Sequence, residues 1–267
     1  MISALWASLI LLVIASVIPK RYNSRASLGG FGWIFLSIYL LFQPEAYIKL
    51  EDYLNAFLAV TAAIVSIFIA YIVFQSGNRK DERYEVFFSL SRAASIGGLI
   101  YFLFAEVEFL NFKIISAVTD QAVWLLGKSG SPVLQVAWNQ FAVNGFAVEI
   151  ILACTAIESI ALFSGIISSA SGATAVRKLQ AFMISVPVLY FLNLIRVSFT
   201  ASAYGLSWFG TPDESFHISE HFITKIGSLL ALFVISYFVL KVLPEVLDML
   251  DGVVRMIRIE FRRLAVR

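Results

Sequence analysis

The chain has a single cysteine, Cys154, among its 267 residues, so no intrachain disulfide can form. Its histidines are only two, His217 and His221. One Cys and two His are too few for a convincing zinc site, and no metal, redox or other cofactor is expected. Charge is scarce as well. Asp, Glu, Lys and Arg make up 14% of the residues, against roughly a quarter in an ordinary soluble domain. What fills the chain is apolar, at 60%. A soluble protein of this size could not hide that much apolar surface. Soluble enzymes, disulfide scaffolds and disordered tails are excluded together. A net charge of +2 gives no reason to expect a nucleic-acid partner.

A helix crossing the ~30 Å hydrocarbon core needs about 20 mostly apolar residues. Seven segments meet or approach this: Ile2–Ile18, Leu28–Phe42, Tyr53–Phe74, Val86–Phe104, Phe146–Ser168, Leu179–Ser202 and Phe222–Leu243. Phe112–Leu126 and Val133–Val143 are hydrophobic but broken by polar residues, and read as interfacial or partly re-entrant. The expected class is an all-α polytopic membrane protein with about seven transmembrane helices. The first helix lacks a preceding basic residue and a cleavage site, so it reads as retained and not as a signal peptide. Basic residues set the orientation. Lys20, Arg21 and Arg25 follow span 1, and Arg79, Lys80, Arg83 and Arg92 follow span 3. Arg177 and Lys178 follow span 5. Lys241, Arg255, Arg258, Arg262, Arg263 and Arg267 follow span 7. These are 15 of the 20 basic residues. The pattern predicts an N-terminus outside and a C-terminus in the cytoplasm. An eighth helix between Phe109 and Phe146 would put the basic tail outside.

Four regions follow from this reading. Residues 1–105 form a four-helix membrane scaffold, and 106–145 an extracellular or interfacial loop region. Residues 146–243 form a three-helix core. Residues 244–267 form a cytoplasmic tail, whose mixture of basic and apolar residues reads as an amphipathic helix on an anionic leaflet. Asn144-Gly145 between short apolar runs predicts a small β-hairpin around Gln140–Ile150, packed on the outer face.

An ionisable residue within a span is expensive and marks a functional candidate. Glu158 in span 5 and Arg196 in span 6 qualify. On a continuous helix Glu158 shares a face with Cys154, four residues earlier, and Asn193 shares one with Arg196. At 1.5 Å per residue Cys154 lies about 12 Å in from the outer end of its span and Arg196 about 9 Å. His221 stands at the outer start of span 7. A cysteine, an arginine and a histidine thus come to similar depth on three consecutive helices. A thiolate with a histidine allows acyl transfer through a thioester, and an arginine, always charged, can hold the oxyanion. The bland readings are a cysteine as small apolar filler, a capping histidine, and an Arg196–Glu158 pair that is structural glue. His217 reads as solvated, and Lys225 as snorkelling outward.

The strings EIILACTAIESIALFSGII, LYFLNLIRVSFTASAYG and SEHFITKIGSLLALFVISYFVLKVLPEVLDML resemble the exosortase/archaeosortase family, nearest its archaeal branch. The likeness covers about Glu149–Asp251. It implies a membrane cysteine transpeptidase. Its clients are surface proteins bearing a tripartite C-terminal signal: a short motif, Pro-Gly-Phe in the archaeal branch, then a transmembrane helix and a basic cluster. The signal is cut at the outer face and the new C-terminus joined to a membrane lipid. The resemblance assigns Cys154 as nucleophile, Arg196 as oxyanion or substrate holder, and His221 as general acid/base, with Lys225 the other candidate for that third position. Glu158 and Asn193 are supporting candidates. Ala156 departs from the family pattern, which often has glycine there. The alternatives are a hydrolytic membrane cysteine protease and a transporter using Glu158 and Arg196 as a coupling pair.

Overall fold

The computed structural model describes residues 2–19, 22, 24–49, 51–79 and 84–265. Five of the basic residues used for orientation, Lys20, Arg21, Lys80, Arg83 and Arg267, lie outside them, as do the side chains of Arg79, Phe261 and Leu264. In chain order come α1 (Ile2–Val17), α2 (Ser24–Leu41), α3 (Gln43–Lys49), α4 (Tyr53–Arg79), α5 (Glu85–Glu106) and α6 (Glu108–Lys128). Three strands follow, β1 (Val133–Ala137), β2 (Gln140–Val143) and β3 (Phe146–Glu149). After a short turn come α7 (Ile157–Ser169), α8 (Ala175–Gly205), α9 (Pro212–His217), a π turn (Ile218–Ile223), α10 (Thr224–Val242) and α11 (Pro244–Ala265).

Among the described residues, five stretches are helical, long and apolar enough to cross a membrane: Ser24–Lys49, Tyr53–Gly77, Glu85–Glu106, Ala175–Gly205 and Pro212–Val242. Two apolar helices are shorter, α1 with 16 residues and α7 with 13. The segment Phe146–Ser168 is therefore not one continuous span. Its first residues form β3, and the thirteen helical ones rise only about 20 Å.

The chain divides into two compact units. One holds Met1–Leu99, Gly165–Ala173 and Pro244–Arg267; the other holds Ile100–Ser164 and Thr174–Leu243. In the first unit, Leu12, Trp33, Ile72, Val73, Phe87 and Met256 form one buried cluster. Met256 lies on α11, and Val253, Ile257 and Ile259 pack against the same cluster. Part of the apolar face of the tail helix is thus packed on protein, while Leu247, Leu250 and Val254 on the same helix are exposed. Tyr84 and the buried carboxylate of Glu260 fasten it further, at 2.9 Å.

Several of the basic residues hold helix ends. The last carbonyls of a helix have no intrahelical donor, and a cation nearby stabilises them. Arg25 donates from Nε to the Ala15 carbonyl and Arg92 from Nη2 to that of Ser16, both at the C-terminus of α1. Arg25 is buried, paired with Glu85 at 2.7 Å and laid over the Phe88 ring. In the second unit Arg177 does the same for α10, donating from Nε and Nη2 to the Val242 carbonyl.

The second unit is built on α6 and α8 with the small sheet. Ile115, Val118, Ala122 and Leu126 repeat along one face of α6 and pack with Leu194, Val197 and Ala201 of α8 and Phe141 and Val143 of β2. The polar residues that break α6 as a span have partners: Asp120 accepts from Gln135 and Gln121 from Tyr190. The strands form an antiparallel meander in the order β1-β2-β3. The expected hairpin is β2–β3. Asn144 and Gly145 both have positive φ, 52° and 86°, as the tight turns of two-residue hairpins require. The stretch Val133–Val143, read as re-entrant, is the other hairpin, β1–β2.

Candidate active site

Cys154 ends a short 3-10 turn, Leu152–Cys154, between β3 and α7. The Cys154 amide donates to the Ile151 carbonyl, and both the amide and Oγ1 of buried Thr155 donate to that of Leu152. Ala156 then takes a left-handed φ of 62°, after which α7 begins. This break separates Cys154 from Glu158. The two do not share a helix face: Cys154 belongs to the turn and Glu158 to the first turn of α7, where a carboxylate complements the helix dipole. The Cys154 side chain is half-buried and packs against the cluster formed by α6, α8 and β2.

Asn193, buried on α8, donates from Nδ2 to the Cys154 carbonyl oxygen at 2.7 Å. Three residues further along α8 comes Arg196. Both help line a cavity of about 440 Å³, together with Ala153 and Ala156 from either side of Cys154 and Thr224 and Gly227 from α10. The cysteine turn and the arginine therefore meet at one chamber, although the sulfur is not part of its wall.

Arg196 does not pair with Glu158. Its Nη2 donates to Oε1 of Glu220, whose other oxygen accepts from Thr200, while the Thr224 hydroxyl donates to the Glu220 carbonyl. Glu220 lies on the π turn that joins α9 to α10. His221, the next residue, is exposed, and its ring lies tilted against that of His217, with centroids 4.9 Å apart. His217 is thus a ring partner as well as an exposed residue. No hydrogen bond, ion pair or ring contact among the described residues joins His221 to Cys154 or Arg196. Lys225 is exposed. No group of three or more His, Cys, Asp or Glu among the described residues could hold a metal ion.

The family model for transmembrane exosortases (Exosortase_EpsH) matches residues 3–240. The chain belongs to this family. It is 26% identical over 259 residues to archaeosortase A of Haloferax volcanii, covering 84% of this chain and 83% of that protein. It is 22% identical over 268 residues to archaeosortase A of Natronomonas pharaonis, covering 89% and 82%. No solved structure matches the chain.

In this exosortase, then, the sequence-predicted residues fall into three groups. Cys154 and Asn193 are joined by a hydrogen bond. Arg196 and Glu158 line the same cavity as Asn193 without touching each other. His221 and Lys225 are exposed near it in sequence, on the π turn and at the start of α10. Glu220 is the functional candidate that sequence reasoning missed. In the sequence it stands two residues before the predicted span Phe222–Leu243, where an acid looks like an ordinary loop residue. An intramembrane arginine calls for a partner, and Glu220 sits one helical turn before Thr224 at the start of the span that follows Arg196. That spacing was the available signal.

Proposed function

We propose that this exosortase is a membrane cysteine transpeptidase that removes the C-terminal sorting signal of exported surface proteins and transfers the new C-terminus to a lipid amine. One observation carries the reading: the Cys154 turn and Arg196 border one cavity, in a chain of this family. The resemblance to the archaeal branch, with which the two relatives named archaeosortase A agree, implies a signal containing Pro-Gly-Phe, followed by a transmembrane helix and a basic cluster. Surface-layer glycoproteins are the expected clients.

The client helix lodges beside α8 and α10, with its motif at the outer interface and its basic end in the cytoplasm. His221 takes the Cys154 thiol proton, and the sulfur attacks a backbone carbonyl near the motif. Arg196 holds the resulting oxyanion. The C–N bond breaks as His221 returns the proton to the leaving amine, and a thioester remains. The amine of a lipid headgroup then attacks the thioester. Its C–N bond forms as the C–S bond breaks, and the proton it loses restores the thiol. Asn193 fixes the turn that carries the sulfur, and Glu158 places its charge in the first turn of α7 beside the cavity. In this reading α1 and α7 complete seven spans in the cell membrane, with the N-terminus and the active site toward the outside.

The test is processing of a reporter fused to a Pro-Gly-Phe motif, transmembrane helix and basic tail. Cells carrying Cys154→Ala, Arg196→Ala or His221→Ala are compared, with mass spectrometry of the mature terminus. Loss of processing in the cysteine variant and a lipid-sized mass on the wild-type product are expected. Continued processing without Cys154 ends the mechanism. A free carboxylate on the mature product makes the protein a hydrolytic protease instead.

A further inference from the structure

We infer that Glu220 is the positioning residue for Arg196, and that the π turn exists to place it. The inference rests on the reading above for the role of Arg196. Its structural basis is independent of that reading.

Glu220 bridges two helices. Oε1 accepts from Arg196 Nη2, and Oε2 accepts from Thr200 Oγ1 at 3.2 Å, with Thr224 Oγ1 next nearest at 3.5 Å. Thr200 lies four residues after Arg196 on α8, so both face Glu220 from one side of that helix. Thr224 opens α10, and its hydroxyl also lies 3.0 Å from the Glu220 carbonyl oxygen. Both threonines are buried, each 7% exposed. The carboxylate is thus held at both oxygens by groups that leave it little freedom.

The arginine is held on one side only. Nε and Nη1 of Arg196 have no partner among the described residues, and Arg196 lines the cavity that borders the Cys154 turn. A carboxylate gripping both faces of the guanidinium fork would consume its donors. Gripping Nη2 alone anchors one end of the guanidinium and leaves the remaining N–H groups for a substrate oxygen. A flexible arginine would lose part of its effect, because a donor stabilises an oxyanion only when it is already aimed at it.

The π turn explains how the sequence achieves this. A π turn is wider than an α turn and recurs at functional sites. Within Ile218–Ile223, Ser219 is buried and Glu220 reaches α8, while His221 and Phe222 are exposed. The residue that the π turn brings onto Arg196 is the glutamate.

Steady-state processing of the same reporter by the purified full chain in lipid nanodiscs tests the inference. Glu220→Ala is expected to lower kcat about ten- to a hundredfold, the range for a misplaced catalytic group, with KM little changed and the melting transition retained. Glu220→Gln keeps an acceptor for Nη2 and should recover most of that loss. The double variant Glu220→Ala/Arg196→Ala should be no slower than Arg196→Ala alone, since the glutamate acts through the arginine. If Glu220→Ala does not fold, Thr200→Val, which loosens only one oxygen of the carboxylate, should show a smaller kcat loss in the same direction. Wild-type kcat in folded Glu220→Ala, or in Thr200→Val should Glu220→Ala not fold, overturns the inference. So does a Gln variant faster than wild type, which would make the carboxylate a brake on Arg196. Processing that survives Cys154→Ala would instead reject the transpeptidase reading and leave the Glu220–Arg196 geometry as a structural clasp.

Discussion

Asn193 Nδ2 and the carbonyl oxygen of Cys154 stand 2.7 Å apart, joining α8 to the turn that carries the thiol. Asn193 is buried, so this bond has no ready substitute in water. The Cys154 end of the bond is only partly buried, so losing the donor costs up to about 1–3 kcal/mol, the figure for a fully buried group. Asn193→Ala should therefore lower stability by that amount and slow reporter processing. Asn193→Asp should be at least as harmful, because it sets a carboxylate oxygen against a carbonyl oxygen. Melting of the purified variants in detergent and processing rates in cells check both. An Asp variant with wild-type behaviour would show that the bond does not matter.

Ala156 offers the opposite kind of change. Its φ of 62° places an L residue with a Cβ in the left-handed region, which costs roughly 1–2 kcal/mol relative to glycine. Ala156→Gly should stabilise the protein modestly, by up to about 1 kcal/mol after the loss of chain entropy. Ala156→Val should destabilise it by more, since a β-branched residue fits that region worst. A melting series of Gly, Ala and Val in that order of falling stability is the expected result.

These two residues also show what the sequence could and could not reveal. Apolar periodicity located the long helices, because a 20-residue apolar run has few other uses. The Asn144-Gly145 turn was legible for the same reason: few dipeptides accept two positive φ values in succession. The break between Glu149 and Ile157 was not legible. Phe146–Ser168 is apolar throughout except for Glu149, Cys154, Glu158 and small hydroxyl residues, and a short apolar run fits a strand, a turn or a helix equally well. The consequence was a false helical spacing between Cys154 and Glu158. The Arg196–Glu220 pair was hidden by the span boundary. Glu220 reads as a loop acid until α8 and the π turn are placed side by side. Arg25, Arg92 and Arg177 were counted as a charge pattern, while their contacts with the last carbonyls of α1 and α10 need tertiary structure to see.

Gly205 marks a contact that should tolerate no side chain. A Cβ there would lie 2.6 Å from the backbone oxygen and the Cβ of Val143 on β2. The Gly205 carbonyl also accepts from Asn144 Nδ2 at 3.2 Å. Neither the strand nor the hairpin turn can yield without loosening the packing of Phe141 and Val143 on α8. Gly205→Ala should cost about 1–3 kcal/mol, as overpacking does, and Gly205→Val more. The readouts are melting temperature and protection of the β2 amides from hydrogen exchange. An alanine variant that melts with the wild type would mean that β2 can shift freely.

The single native cysteine makes the membrane orientation directly measurable. Cys154→Ser gives a cysteine-free chain in which a new thiol is the only target for a membrane-impermeant maleimide. Asp213, exposed on α9, and Asp251, exposed on α11, lie on either side of α10. That helix has 19 residues, a rise of about 28 Å and close to the hydrocarbon thickness. Asp213→Cys should label on intact cells, and Asp251→Cys only after permeabilisation. This follows from the basic residues that accompany α11. Labelling of both positions on intact cells would take α10 out of the membrane. The reversed pattern would place the Arg196 cavity's outer wall toward the cytoplasm, where a sorting signal cut after export could not reach it.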